Sequence, residues 1–126
     1  MKKYFFLAFC AAAIASPVAQ SCAVLNTINS TTLIKPQQTF ILGEGEHPSY
    51  SVALTNVGTT LLIVTTTDRS GTTTPVANLK PNDKGSYKIP ANTAAKIKND
   101  GKVQGTVKIR AQGAVSFSNL SMGYDK

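Results

Sequence analysis

Tryptophan is absent from the 126-residue chain, and histidine occurs once, at His47. Cysteine occurs twice, at Cys10 and Cys22, and acidic residues number six. These shortages exclude much chemistry. A histidine-based triad could be assembled only around His47. A zinc site drawn from Cys and His finds no further histidine or cysteine downstream of it. Glycosidase-type catalysis needs two acids facing each other across a cleft. Asp68, Asp83 and Asp100 instead stand in turn-forming stretches, where aspartate bonds its own backbone. Exposed aromatic rings for sugar binding are also scarce. Beyond the N-terminal stretch the aromatics are Phe40, Tyr50, Tyr87, Phe117 and Tyr124, and the first four fall at inward strand positions. No acidic tail, coiled-coil heptad or helical periodicity is found, and no second long apolar run. The chain is expected to be non-catalytic and to carry no cofactor.

The N-terminus reads as an address. Met1-Lys2-Lys3 precede an apolar run from Tyr4 to Ala15, then Pro17 and Ala19-Gln20-Ser21-Cys22. A bilayer-spanning helix needs about 20 apolar residues, and this run is shorter. A positive start, a short apolar middle and small residues at the cut mark a secretory signal. Pro17 ends the apolar helix and leaves extended chain beyond it. Ala19 and Ser21 suit cleavage before Cys22; Ser21 and Ala23 suit a cut slightly later, and both remain open.

Ala19-Gln20-Ser21-Cys22 resembles the bacterial lipoprotein signal. The resemblance implies removal of residues 1–21 and acylation of Cys22. Cys10 would leave with the signal, so Cys22 would remain alone, and an unpaired thiol on an exported protein calls for a reason. Lipid attachment supplies one; a disulfide-linked dimer, or loss of Cys22 by the later cut, would be others. Each buried methylene contributes about 0.8 kcal/mol, so several acyl chains hold where one holds weakly. The implied partner is a membrane, reached through the N-terminal lipid. Residues 22–37 then form a tether that becomes a first strand near residues 31–35, and residues 38–126 form one domain of ordinary size.

From residue 38 the pattern is strand and turn. Residues 49–55 alternate, with Tyr50, Val52 and Leu54 on one side, which is the period of a half-buried strand. Residues 59–67 are the most β-prone run, with four apolar residues together at 61–64. Further strands are expected at 38–42, 72–79, 86–89, 93–98, 104–111 and 114–122. Turns fall at Asn56-Val57-Gly58, Asn99-Asp100-Gly101 and, as a tight hairpin, Gln112-Gly113. Seven or eight short antiparallel strands predict an all-β sandwich, immunoglobulin-like or jelly-roll. Threonine pairs and triples at 31–32, 59–60, 65–67 and 72–74 have no fixed spacing and suit solvated strand faces.

Two clusters are candidates for function. Glu44, Glu46 and His47 lie within four residues and could hold a divalent metal, although a solvated acidic loop explains them as well. The second cluster is basic. Lys96 and Lys98 flank Ile97, Lys108 and Arg110 flank Ile109, and Lys88 stands between Tyr87 and Ile89. If these strands share one sheet, the period of two gathers all five cations on one outer face. Such a face would attract an anionic partner, an envelope polymer or a protein. No aromatic interleaves with the cations, so nucleic-acid stacking is not supported. A solvated face that discourages edge-to-edge aggregation is the plain alternative. The expected function is a non-catalytic binding or structural module of the cell envelope. The other reading is a subunit of an envelope assembly or fibre joined by strand addition through residues 23–37.

Overall fold

The computed structural model of the protein describes residues 26–113 and 120–125. Nine strands occur among the described residues, and no helix. They are β1 (Asn26–Ile34), β2 (Thr39–Leu42), β3 (Tyr50–Asn56), β4 (Leu62–Thr67), β5 (Thr73–Leu79), β6 (Lys84–Ile89), β7 (Ala94–Asn99), β8 (Gly105–Gly113) and β9 (Met122–Tyr124). Sheet A has the order β1-β8-β3-β6 and sheet B the order β5-β4-β7-β2-β9. Every pairing is antiparallel. Successive strands from β1 to β4 and from β5 to β9 alternate between the sheets, while β4 and β5 pair within sheet B. The first and eighth strands, and the second and seventh, are neighbours. That interleaving is the jelly roll, with β9 added beside β2.

Alternation along each strand explains the layering. Tyr50, Val52, Leu54 and Asn56 of β3 are buried, while Ser51, Ala53 and Thr55 point outward. Val107, Ile109 and Ala111 of β8 face the same interior. Leu42, Leu62, Val64 and Ile97 meet them from sheet B. Each large apolar side chain so buried contributes about 1.5–3 kcal/mol.

The two sheets are tied at one end by a matched pair of buried asparagines. Asn56 closes β3 in sheet A, and its Nδ2 donates to Thr60 O (2.7 Å) and to Leu79 O (2.9 Å) at the end of β5 in sheet B. Asn99 closes β7 in sheet B, and its Nδ2 donates to Val103 O (2.8 Å) and to Ile34 O (2.9 Å) at the end of β1 in sheet A. Each Oδ1 accepts the N–H of a glycine two residues on, Gly58 or Gly101. The device is the same in both places with the sheets exchanged.

Three expectations need revision. The first strand begins at Asn26, not near residue 31, and runs the full length of β8. It pairs within the fold's own sheet, as the edge strand beside β8. Gln112-Gly113 is no hairpin, because both residues continue β8 and pair with Ser51 and Tyr50. The expected strand 114–122 falls mostly outside the described residues. Its last residue opens β9, which joins the opposite sheet.

Candidate functional site

All six acidic residues lie outside the strands, in loops or after β9. The cations do not. Outward positions on sheet A follow from register. Gln112 stands between Thr27 and Ser51, with Lys88 beyond; Arg110 between Asn29 and Ala53, with Ser86 beyond; Lys108 between Thr31 and Thr55, with Lys84 beyond. Lys84, Lys88, Lys108 and Arg110 thus share one face with no acid among them. Neighbouring strands are about 4.8 Å apart, and alternate residues about 7 Å. Among the described residues the one ion pair is Arg69–Glu46 (3.2 Å), so none of these four cations is neutralised by a carboxylate.

The relief of the face comes from side-chain size. Small Ser51, Ala53 and Thr55 on β3 leave a floor, and the long side chains of β8 stand beside it. One shallow depression is lined by Asn29, Thr31, Ala53, Thr55, Lys108 and Arg110. A second, lined in part by Ser51, Ser86, Arg110 and Gln112, adjoins it across Arg110.

The five sequence-nominated cations are therefore divided. Lys88, Lys108 and Arg110 come together on sheet A. Lys96 and Lys98 lie on the outer face of sheet B, because β7 pairs with β2 and β4. The shared-sheet condition fails for β7. Lys96 sits in a depression with Glu44 and Asp68, which makes its surroundings mixed in charge. Lys84 was missed, although counting back by twos from Lys88 through Ser86 reaches it. Asn29 and Thr31 carried no signal, since nothing local announces that β1 borders β8.

Glu44, Glu46 and His47 do not converge. Glu46 pairs with Arg69, and Glu44 is held through its backbone by Ser121. The His47 ring is occupied on both sides, with Nδ1 at 2.7 Å from Pro48 O and Nε2 at 2.9 Å from Thr93 O. It stacks edge-on against Tyr50, centroids 5.3 Å apart. Its role is to hold residues 43–49 against the loop before β7, where its N–H also donates to Asn92 Oδ1. No group of three His, Cys, Asp or Glu among the described residues is arranged to hold a metal ion. Tyr50 is buried, and burial pushes its hydroxyl well above the usual phenol range. Cys22 lies outside the described residues.

Fold and face together define a jelly-roll β-sandwich with an open, acid-free basic sheet. No family model matches the chain, and no curated protein does. Among solved structures it is similar to a mitogen derived from Yersinia pseudotuberculosis, at 13% identity over 73% of this chain and 89% of that one, TM-score 0.46. It is also similar to a sugar phosphate isomerase of the cupin superfamily from Silicibacter pomeroyi, at 10% identity over 79% of this chain and 67% of that one, TM-score 0.43. Likeness at this level carries no functional weight.

Proposed function

We propose that the protein is an exported, lipid-anchored component of the cell envelope that binds an anionic envelope polymer and performs no catalysis. The observation that carries the binding reading is the outer face of sheet A, where Lys84, Lys88, Lys108 and Arg110 surround a small-residue floor with no acid on its strands; Asp83, just before Lys84, turns its carboxylate to the Lys80 N–H. Cationic side chains on one face focus a field that concentrates an anionic chain. The absence of an aromatic among them argues against bases as the ligand. The export reading rests on Met1 to Cys22, and the anchor on the resemblance of residues 19–22 to the lipoprotein signal. Intact mass from cell envelopes tests it: acylated Cys22, plain cleavage and a retained signal give three different values.

Charge reversal tests the binding. Lys108→Glu with Arg110→Glu is expected to abolish retention on an immobilised polyanion, and rising salt to weaken retention of the parent protein. Lys96→Glu with Lys98→Glu, on the other sheet, is expected to leave retention nearly unchanged. Equal losses from both pairs would mean that net charge, not this face, does the binding.

A further inference from the structure

Sheets A and B present four edges among the described residues: β1, β6, β5 and β9. Exposed edges are templates for unwanted pairing, and proteins blunt them with lysine, proline, bulges or brevity. Three of the four are blunted. β6 carries Lys84 and Lys88. β5 carries Pro75 and faces a register shift between Val64 and Thr65. β9 is three residues long. β1 is nine residues long, Asn-Thr-Ile-Asn-Ser-Thr-Thr-Leu-Ile, with no charge, proline or glycine.

Which groups line that edge follows from the ladder. Val57 N donates to Thr106 O, so Thr106 turns its backbone toward β3. Leu33, opposite Thr106, therefore turns its own backbone away from β8, to the free side. Tyr124 confirms the direction, because its hydroxyl donates to Leu33 O at 2.8 Å. By the period of two, Thr27, Asn29 and Thr31 also point their N–H and C=O groups outward.

We propose that two copies of the chain join edge to edge through β1, antiparallel about Asn29, and that their joined outer faces form one anion-binding trough. This register uses the three edge residues whose outward backbone groups have no partner among the described residues, and leaves Leu33 to Tyr124. Asn29 meets Asn29 of the second copy, and Thr27 meets Thr31 in both directions, which gives about six N–H···O=C bonds. Every facing pair is uncharged, and threonine pairs are favourable neighbours across strands. The product is a continuous eight-stranded sheet, with both outer faces on the same side.

The pairing also completes a site that one copy leaves open. The depression beside Lys108 and Arg110 ends at Asn29 and Thr31, on the sheet's border. Joining the edges gives it a second wall. Arg110, Asn29, Asn29 and Arg110 of the two copies fall on one rung, with the two β8 strands about 14 Å apart. Like charges at that separation are screened at physiological salt, where the Debye length is about 8 Å. An extended polyanion lying between the walls would be held from both sides. The ligand part rests on the reading of sheet A given above; the pairing does not.

The test uses the full chain as its host exports it, by sedimentation at 0.15 M salt with and without long-chain polyphosphate. A dimer is expected, and Thr31→Pro and Asn29→Lys are each expected to give monomers. Proline removes an outward N–H, while lysine places like charges directly opposite. Should the proline variant fail to fold, the lysine variant, a surface change, still decides the question. Asn29→Cys is expected to cross-link across the axis on mild oxidation, since hydrogen-bonded antiparallel pairs hold Cα atoms about 5.5 Å apart. With Cys22 acylated or replaced by serine in every sample, Thr55→Cys and the chain without an added cysteine are expected not to. The dimer should bind polyphosphate at least tenfold more tightly than the monomeric Thr31→Pro variant. A parent chain that stays monomeric, or a dimer that survives both edge substitutions, overturns the pairing. A dimer that binds polyphosphate no better than Lys108→Glu/Arg110→Glu overturns the trough and the basic-face reading while leaving the pairing standing.

Discussion

Asn56 and Asn99 show how much of a sandwich two side chains can hold. Each is fully buried, and each satisfies two carbonyls with its amide and a turn N–H with its oxygen. Thr60 adds its hydroxyl to Asn99 Oδ1 at 3.3 Å. Removing one amide strands two buried carbonyls and one N–H. Asn56→Ala and Asn99→Ala are each expected to cost about 2–4 kcal/mol, read by chemical denaturation. Asn56→Asp should be at least as damaging, because a carboxylate cannot donate to Thr60 O or Leu79 O. The sequence shows both residues as the first of an Asn-x-Gly turn, and so much was legible. That the side chains reach across to the other sheet was not, since Leu79 and Ile34 are brought there only by tertiary structure.

At the level of the strand and its turn, the reading from sequence was close. The alternation of residues 49–55 became β3, and the turn at Asp68-Arg69-Ser70-Gly71 joins β4 to β5 where expected. Asp68 organises that turn: its Oδ1 accepts from the Ser70 hydroxyl (2.6 Å), Ser70 N (3.0 Å) and Thr72 N (3.0 Å). The Ser70 hydroxyl and then the Thr72 N–H hold its carboxyl below the usual aspartate range. A folded-state pKa below the unfolded value of about 3.9 means the turn's contribution is present above that pH and lost as pH falls through the folded value. In an NMR titration the Asp68 carboxyl should protonate below pH 3.9, with the Ser70 and Thr72 amide signals moving alongside. Asp68→Asn should abolish that movement while keeping the turn. What strand patterns could not reveal was partnership. The period of two placed Lys96 and Lys98 on one side of β7 and Lys108 and Arg110 on one side of β8, but sheet membership is a long-range fact. The same limit made Gln112-Gly113 look like the end of a strand that in fact continues.

For the whole molecule, the acids lie in loops or after β9, while six of the ten described cations lie on the strands of both sheets and four of those six share the outer face of sheet A. The pairing of the first strand with the eighth has a further consequence, in time rather than space. Ile34 meets Gly105 and Asn26 meets Gly113, so the partners stand 105 − 34 = 71 to 113 − 26 = 87 positions apart in the sequence. Topologies dominated by such distant contacts fold in milliseconds to seconds rather than microseconds. Stopped-flow refolding should fall in that slow range, and Ile34→Val should speed unfolding more than it slows refolding if β1 docks late. A chain emerging from a ribosome or a secretion pore shows β1 first and β8 near the end. The least protected strand therefore waits longest for its neighbour, and a chaperone that shields residues 26–34 during that wait would raise the yield of correctly folded protein.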